Sequence, residues 1–89
     1  MAEIRETLAA RGSLHGDYQA QADDAVTLKR FMRGRARDRL TMVQEDAIDM
    51  ICVKLSRIVN GDPNHADHWH DIAGYATLAA DRCAKLAAE

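Results

Sequence analysis

The 89-residue chain lacks the patterns that mark several classes of protein. No apolar run approaches the roughly 18 residues of a membrane span, and the first twelve residues lack the apolar centre of a signal peptide. A net charge of -2 and a pI near 6.0 argue against general nucleic-acid binding, because such proteins carry a basic excess. Only two cysteines occur, Cys52 and Cys83, and both fall inside predicted helices, where we interpret them as reduced packing residues. These features predict a cytoplasmic protein with no membrane contact.

The two-residue alternation of β-strands is almost absent, and β-branched residues are sparse. The chain therefore reads as one all-α domain over residues 1–89, with about four helices. The first two helices are predicted at about residues 3–10 and 17–33, ended by Gly12 and Gly34. The third lies between a capping box at Thr41 and the stop at residues 61–63, and the fourth starts within residues 64–67 and runs to about residue 87. The last two helices form a long αα-hairpin.

Both long helices carry an apolar face, and we expect that a single chain of this size cannot cover the face of the fourth helix. The stripe of the third helix is predicted at three- and four-residue spacing, at Ile48, Ile51, Leu55, Ile58 and Val59. The fourth helix has small residues on the same face as Trp69, namely Ala73, Ala76, Ala80 and Cys83. Because a single core of this size is thin, we predict a homodimer or tetramer with Trp69 at or near the contact.

The third helix also carries acids at the edge of its apolar stripe. Glu45 and Asp49 lie one turn apart, so they repel one another and lose hydration. Mg²⁺ would relieve both costs, since it binds carboxylate oxygens and takes further oxygens from substrate phosphates. The alternative is that Glu45 and Asp46 only stabilise the start of the helix through its dipole, which leaves Asp49 unexplained.

The fourth helix offers a second acidic pair, Asp67 and Asp71, again one turn apart. In an antiparallel hairpin the two pairs are not level along the helix axes. Two arrangements remain open: Asp49 and Asp71 approach where the helices cross, or a dimer supplies one half of the site from each chain.

Other polar residues have both a ligand-binding and a structural interpretation. Lys54 and Arg57 contact either phosphates or a neighbouring helix. In "LHGDYQ", Gly16 permits a tight turn and Asp17 caps the second helix, while His15 and Tyr18 are placed to meet a ligand.

The remaining candidates have similar alternatives. The basic run at residues 29–39 is either a solvated turn or a phosphate-binding patch. Trp69 and Tyr75 are core or interface aromatics, with stacking on a base as the alternative. The spacing of His65, His68 and His70 matches no structural zinc pattern.

The segments "RGSLHGDYQ" and "MVQEDAIDMICVKLSRIVNGDPNHADHWHDIAGYATLA" resemble a family of small phage and prophage proteins. That family has an "HGDY"-type turn, a "DMI..K..RI..GDPN" helix and a "DHW.DIAGYA" helix. The helix pair also resembles, more distantly, the all-α MazG-like nucleoside triphosphate pyrophosphohydrolases. Those enzymes hold Mg²⁺ through acidic motifs on two consecutive helices and cleave (d)NTPs to monophosphate and pyrophosphate.

The nearest counterparts of the two acidic motifs are "DAID" at residues 46–49 and "HWHD" at residues 68–71. His68 stands where the enzymes have an acid, and Asp71 alone is of the expected type. The resemblance implies a Mg²⁺ site formed by Glu45, Asp49 and Asp71 with Asp67 or Asp46. The predicted nucleotide contacts are His15, Asp17, Tyr18, Lys54, Arg57, His68 and Tyr75.

Three functions follow as alternatives, and none assigns a catalytic residue. The first is Mg²⁺-dependent cleavage of a nucleotide. The second is nucleotide binding without cleavage, which the histidine at position 68 favours. The third is a helical interaction protein with no ligand.

Overall fold

A computed structural model describes residues 2–88, without the side chains of residues 2, 13 and 14. It confirms the all-α prediction, with four helices and no strand in the described part of the chain. The helices are α1 (Ala2–His15), α2 (Tyr18–Ala36), α3 (Met42–Asn60) and α4 (Ala66–Ala88).

The predicted end of α1 at Gly12 is wrong, because the helix continues to His15. A glycine inside a helix costs only about 1 kcal/mol relative to alanine, so Gly12 does not have to end it. The actual stop is Gly16, whose φ of 87° lies in the left-handed region and whose amide donates to the Gly12 carbonyl at 2.9 Å. The predicted cap of α2 is confirmed, since the Asp17 carboxylate accepts from the Ala20 amide at 3.0 Å. Only two residues therefore separate α1 from α2.

The predicted end of α2 near Gly34 lies two residues before the observed end. The helix runs to Ala36 and is followed by Arg37 in the left-handed conformation. The side chain of Arg39 folds back onto the helix end and donates to the carbonyls of Arg35 and Ala36 at 2.8 and 3.0 Å. These bonds satisfy carbonyl groups that a helix end otherwise leaves without partners.

The bounds of the last two helices agree with the sequence. The capping box of α3 is present, with Gln44 N–H donating to the Thr41 hydroxyl and the Thr41 N–H donating to the Gln44 side chain. The helix ends at Asn60, directly before the predicted stop. The first residue of α4, Ala66, falls inside the predicted starting window.

The central helix is α3, which packs against α2 on one side and α4 on the other, while α1 contacts α2 and α3. The buried apolar residues are Ala25, Ala47, Cys52 and Ile58. Burial, with a smaller contribution from nearby Asp49, raises the pKa of the Cys52 thiol, so this cysteine stays a protonated packing residue.

One expectation about the apolar faces needs correction. Val59 belonged to the predicted stripe of α3 but is 72% exposed. On α4 the covered face is the row of His68, Ile72, Tyr75 and Ala79, whereas Trp69 is 52% exposed. The covered row has steps of four, three and four residues, so it follows the helical repeat as well as the row that contains Trp69 does. Which of the two rows is covered depends on how α3 and α4 pack.

The chain is elongated, with extents of 52 × 26 × 25 Å and a radius of gyration of 15.3 Å. A compact chain of this length has a radius of gyration of about 12 Å. The elongated shape leaves large apolar side chains exposed on all four helices. Among residues 2–88 there is no helix with the length and apolar character needed to cross a membrane.

Candidate functional site

A cavity of about 540 Å³ lies between the α1–α2 turn and the C-terminal half of α3, and we call it the turn pocket. Its walls come from the end of α1, the turn itself, the first turn of α2 and one residue of α3. The residues that line it are Leu8, Arg11, Gly12, His15, Gly16, Asp17, Tyr18, Gln21 and Arg57.

The turn pocket exists because the α1–α2 turn lies directly against the end of α3. A side-chain carbon at Gly16 would overlap the backbone carbonyl of Asn60, so only glycine permits this approach. Asn60 is itself held in place, since its side-chain nitrogen Nδ2 donates to the Asp24 carboxylate of α2 and to the Ser56 carbonyl, both at 2.8 Å. The α1–α2 turn, α2 and α3 therefore meet at the contact between Gly16 and Asn60.

A chain of hydrogen bonds orients Arg57 at the pocket. The Arg57 Nε donates to the side-chain oxygen of Gln21 at 3.1 Å, and the side-chain nitrogen of Gln21 donates to the His15 backbone carbonyl at 3.4 Å. Within the described part of the chain, neither Arg57 nor Arg11 forms an ion pair with a carboxylate. Two positive charges therefore line the turn pocket without a salt-bridge partner among the described side chains.

Behind the pocket wall, three histidine rings pack together. His15 Nδ1 lies 3.0 Å from His68 Nε2, and their ring centroids are 4.8 Å apart. The ring of His65 lies 4.8 Å from His68 and 6.4 Å from His15. His68 is only 2% exposed, and its Nδ1 has no hydrogen-bond partner among the described groups.

The surroundings keep two rings of this histidine cluster, His15 and His68, uncharged. Burial lowers the pKa of His15, and the positive charge of Arg57 lowers it further. Burial likewise lowers the pKa of His68, and electrostatic repulsion from His65 lowers it further. Both rings are therefore neutral at pH 7, and in their contact one ring nitrogen donates while the other accepts.

The acids of α3 lie elsewhere and already have a cation. Glu45, Asp46 and Asp49 line a shallow cavity of about 240 Å³ together with Met42, and we call these three residues the acid strip. Arg33 of α2 donates to Asp49 and lies 3.3 Å from Glu45. The hydrogen bond to Asp49 raises the pKa of Arg33, so its positive charge is permanent. One oxygen of Asp49, Oδ1, is buried without a partner among the described groups.

The acids of α4 are not joined to the acid strip. Asp71 forms an ion pair with Lys54 of α3 at 2.9 Å, and the hydrogen bond from Lys54 lowers the pKa of the Asp71 carboxyl. Asp67 is exposed, 3.6 Å from His65. Among residues 2–88, no group of three or more histidine, cysteine or acidic side chains is arranged to hold a metal ion. Within one chain, Asp49 and Asp71 thus belong to two separate ion pairs, and a shared Mg²⁺ stays a prediction.

The predicted nucleotide contacts separate into two groups. His15, Asp17, Tyr18 and Arg57 meet in the turn pocket, and His68 lies directly behind His15. The other two lie outside it: Lys54 is held by Asp71, and Tyr75 lines a different cavity near the start of α3.

Sequence reasoning missed Arg11 and Gln21, although each had a signal. Arg11 precedes His15 by four residues, so the two share a helix face once α1 is allowed to continue past Gly12. Gln21 precedes Ala25 by four residues and is buried beside it. A polar residue in a buried row needs a hydrogen-bond partner, and Arg57 provides it.

The fold and the pocket define a class: a small all-α protein with a positively charged pocket at the turn between its first two helices. Residues 8–83 match the model of a family described as a domain of unknown function, DUF6378, and the chain belongs to that family. The comparisons with curated proteins and with solved structures gave no significant match.

Proposed function

We propose that the protein binds a nucleotide in the turn pocket through its phosphate groups, without needing Mg²⁺ and without cleaving the nucleotide. The observation that supports this most strongly is the pair Arg11 and Arg57, two guanidinium groups in one cavity with no carboxylate salt-bridge partner in the described chain. Guanidinium groups bind phosphate oxygens through paired hydrogen bonds, which makes such a pair a suitable anion site.

The size and rim of the pocket fit a nucleotide rather than a bare ion. Its volume of about 540 Å³ lies within the usual range of small-molecule sites, roughly 300–1,000 Å³. Tyr18 lines the pocket and is 78% exposed, so its ring offers a surface on which a base can stack. Asp17 is the one carboxylate in the lining, and it is engaged with the Ala20 amide as the helix cap.

A second candidate is the Mg²⁺-dependent pyrophosphohydrolase that the MazG-like resemblance implies. The observation in its favour is the cavity of the acid strip, with the buried oxygen of Asp49 that has no partner among the described groups. For this function Mg²⁺ has to displace Arg33 from Glu45 and Asp49, and Asp71 has to come from elsewhere, such as a second copy of the chain. The metal would neutralise phosphate charge and activate a water.

We also propose self-association in the cytoplasm, as a homodimer or tetramer. The exposed face of α4 formed by Trp69, Ala73, Ala76 and Ala80 supports this, because small residues permit close approach of a second helix. The elongated shape supports it too, since one copy leaves much of its apolar surface in water.

Calorimetric titration with a panel of (d)NTPs and monophosphates, in EDTA and in Mg²⁺, tests the proposed function. We expect at least one nucleotide to bind in EDTA and Arg57→Gln to weaken it by about 10- to 100-fold, the range for a lost charged hydrogen bond. Arg82→Gln, which changes an exposed arginine of α4, is the matched control and should bind like the wild type.

The outcomes separate the candidates. Binding only in Mg²⁺, with release of pyrophosphate, would favour the second candidate over the first. Release of orthophosphate would exclude the MazG-like reaction. No binding across the panel, with or without Mg²⁺, would leave a helical interaction protein.

A further inference from the structure

The wall of the turn pocket contains a titratable ring that is connected to the interior. His15 lines the cavity, and its Nδ1 contacts Nε2 of the buried His68. The other ring nitrogen of His15, Nε2, has no hydrogen-bond partner among the groups that the structure describes. This nitrogen is the one that remains for a ligand.

Resting on the proposed nucleotide site, we propose that the group bound in the turn pocket is a dianionic phosphate monoester and that His15 takes up a proton from solvent as it binds. The proton is placed on Nε2 of His15, where the new N–H donates to a phosphate oxygen. The proton leaves a water or buffer acid as the N–H bond forms, and no bond of the phosphate ester breaks.

The geometry of the histidine pair permits this protonation without disruption. A neutral imidazole has one donor and one acceptor nitrogen, whereas the protonated ring has two donors. Protonated His15 therefore keeps its bond, with Nδ1–H donating to Nε2 of a neutral His68. The proton of neutral His68 then lies on Nδ1, its buried and partnerless nitrogen. One added charge thus reaches the pocket while the interior stays uncharged.

The charges around His15 explain why the proton arrives only with the ligand. In the empty pocket the groups near His15 are almost all basic, and burial together with Arg57 holds its pKa below the ordinary value. The one acid in the lining, Asp17, is engaged as a helix cap. A phosphate dianion reverses the local balance, because an opposite charge at contact distance favours the protonated ring. The titratable or charged groups facing His15 are Arg11 from α1, Asp17 from the turn, Tyr18 from α2, Arg57 from α3, and His65 and His68 at the start of α4.

The chemistry of the site therefore selects by charge. A phosphate monoester has two negative charges above its second pKa near 6, whereas a cyclic phosphodiester has one. Two guanidinium groups and an inducible imidazolium match the dianion better than the monoanion.

The test compares each of the four 2′-deoxynucleoside 5′-monophosphates with its 3′,5′-cyclic counterpart by calorimetry, in EDTA, at pH 6.5, 7.5 and 8.5. We expect the best monophosphate to bind at least about tenfold more tightly than its cyclic form, since one lost charged hydrogen bond has that effect. Its affinity should rise as the pH falls, by up to about tenfold per pH unit for one proton taken up. Titrations in two buffers of different ionisation enthalpy should show net proton uptake.

Two variants complete the test. His15→Gln should lose the proton uptake and most of the pH dependence, while His70→Gln, at an exposed position of α4, should keep both. If monophosphates bind with no proton uptake, or no better than cyclic forms, the inference is overturned and the proposed function stands. If no nucleotide binds at any pH, both fail. The two-buffer comparison on the wild-type protein decides the matter even if His15→Gln folds poorly.

Discussion

The turn pocket and the acid strip differ in how their charges are already neutralised. In the turn pocket Arg11 and Arg57 have no ion pair with a carboxylate within the described chain. In the acid strip Glu45 and Asp49 share Arg33, which reaches across from α2. A ligand gains most where the protein has left charge without a partner, because it then displaces no existing salt bridge. An anion in the turn pocket is therefore favoured over a cation at the acid strip.

The two regions also differ in what holds them in place. The turn pocket depends on one close backbone contact, between Gly16 and Asn60, which leaves no room for a side chain at position 16. The acid strip lies on the regular surface of α3, and its arrangement depends on an ion pair that solvent reaches. Mutations should therefore disturb the turn far more than the strip.

The largest effect is expected for Gly16→Ala. The new methyl group meets the Asn60 carbonyl in a left-handed backbone conformation, so α1 and the turn must move away from α3. We expect a loss of about 2–4 kcal/mol in the free energy of unfolding, the range for a strained and overpacked position. Urea denaturation followed by circular dichroism measures it.

The matched control is Gly12→Ala, a glycine inside α1 with no atom near the added carbon. It should stabilise the protein by about 0.5–1 kcal/mol, because alanine favours helix more than glycine does. Equal effects of the two substitutions would contradict the close contact at Gly16.

The histidine cluster predicts how stability depends on pH. The pKa values of His15 and His68 are lowered in the folded state, so between those values and about 6.5 the unfolded chain binds more protons. The free energy of unfolding should therefore be at its full value above pH 6.5 and fall as the solution becomes more acidic. Urea denaturation at several pH values tests this. His68→Gln should flatten the dependence and His70→Gln should not.

Self-association should depend on the small-residue face of α4. Ala76→Glu places a negative charge on that face and should shift the mass towards the monomer, whereas Arg82→Glu places a glutamate elsewhere on the helix and should not, although it changes the net charge more. Light scattering at tens of micromolar, where weak dimers begin to dissociate, measures the mass. A wild-type monomer at that concentration would contradict the assembly.

The smallest effect is expected at the acid strip. Mg²⁺ should raise the melting temperature of the wild-type protein little, because Arg33 competes for Glu45 and Asp49. Arg33→Gln removes that cation and should increase the Mg²⁺-dependent rise, while Arg30→Gln, at a nearby exposed position, should not. A large Mg²⁺ effect in the wild type that disappears in Asp71→Asn would instead support a metal shared by Asp49 and Asp71.

The sequence predicted the helices well where a local signal decides them. The Thr41 capping box, the stop after Asn60 and the Asp17 cap each depend on residues within a few positions. Glycine was the weak point, because Gly12 lies inside α1 without ending it, whereas Gly16 marks the end of the helix. Only the position of α3 shows which glycine meets another backbone.

The site was predictable only where neighbouring residues in the sequence form it. The "HGDY" turn indicated a ligand surface, and its three predicted contacts do meet in the turn pocket, together with Arg57. The contribution of Arg57 to that surface depends on how α3 packs against α2, through the bond to Gln21. The burial of His68 likewise depends on which face of α4 meets α3. Both are long-range properties that residue spacing along one helix does not fix.

The most direct test of the central claim is to locate a bound nucleotide by NMR. With ¹⁵N-labelled protein in EDTA, titration with the tightest-binding nucleotide should shift the signals of Gly12, Gly16 and the Arg57 side chain. The amides of Glu45 and Asp49 should stay where they are. Shifts at Glu45 and Asp49 with none at Gly16, or shifts that require Mg²⁺, would contradict a nucleotide site in the turn pocket.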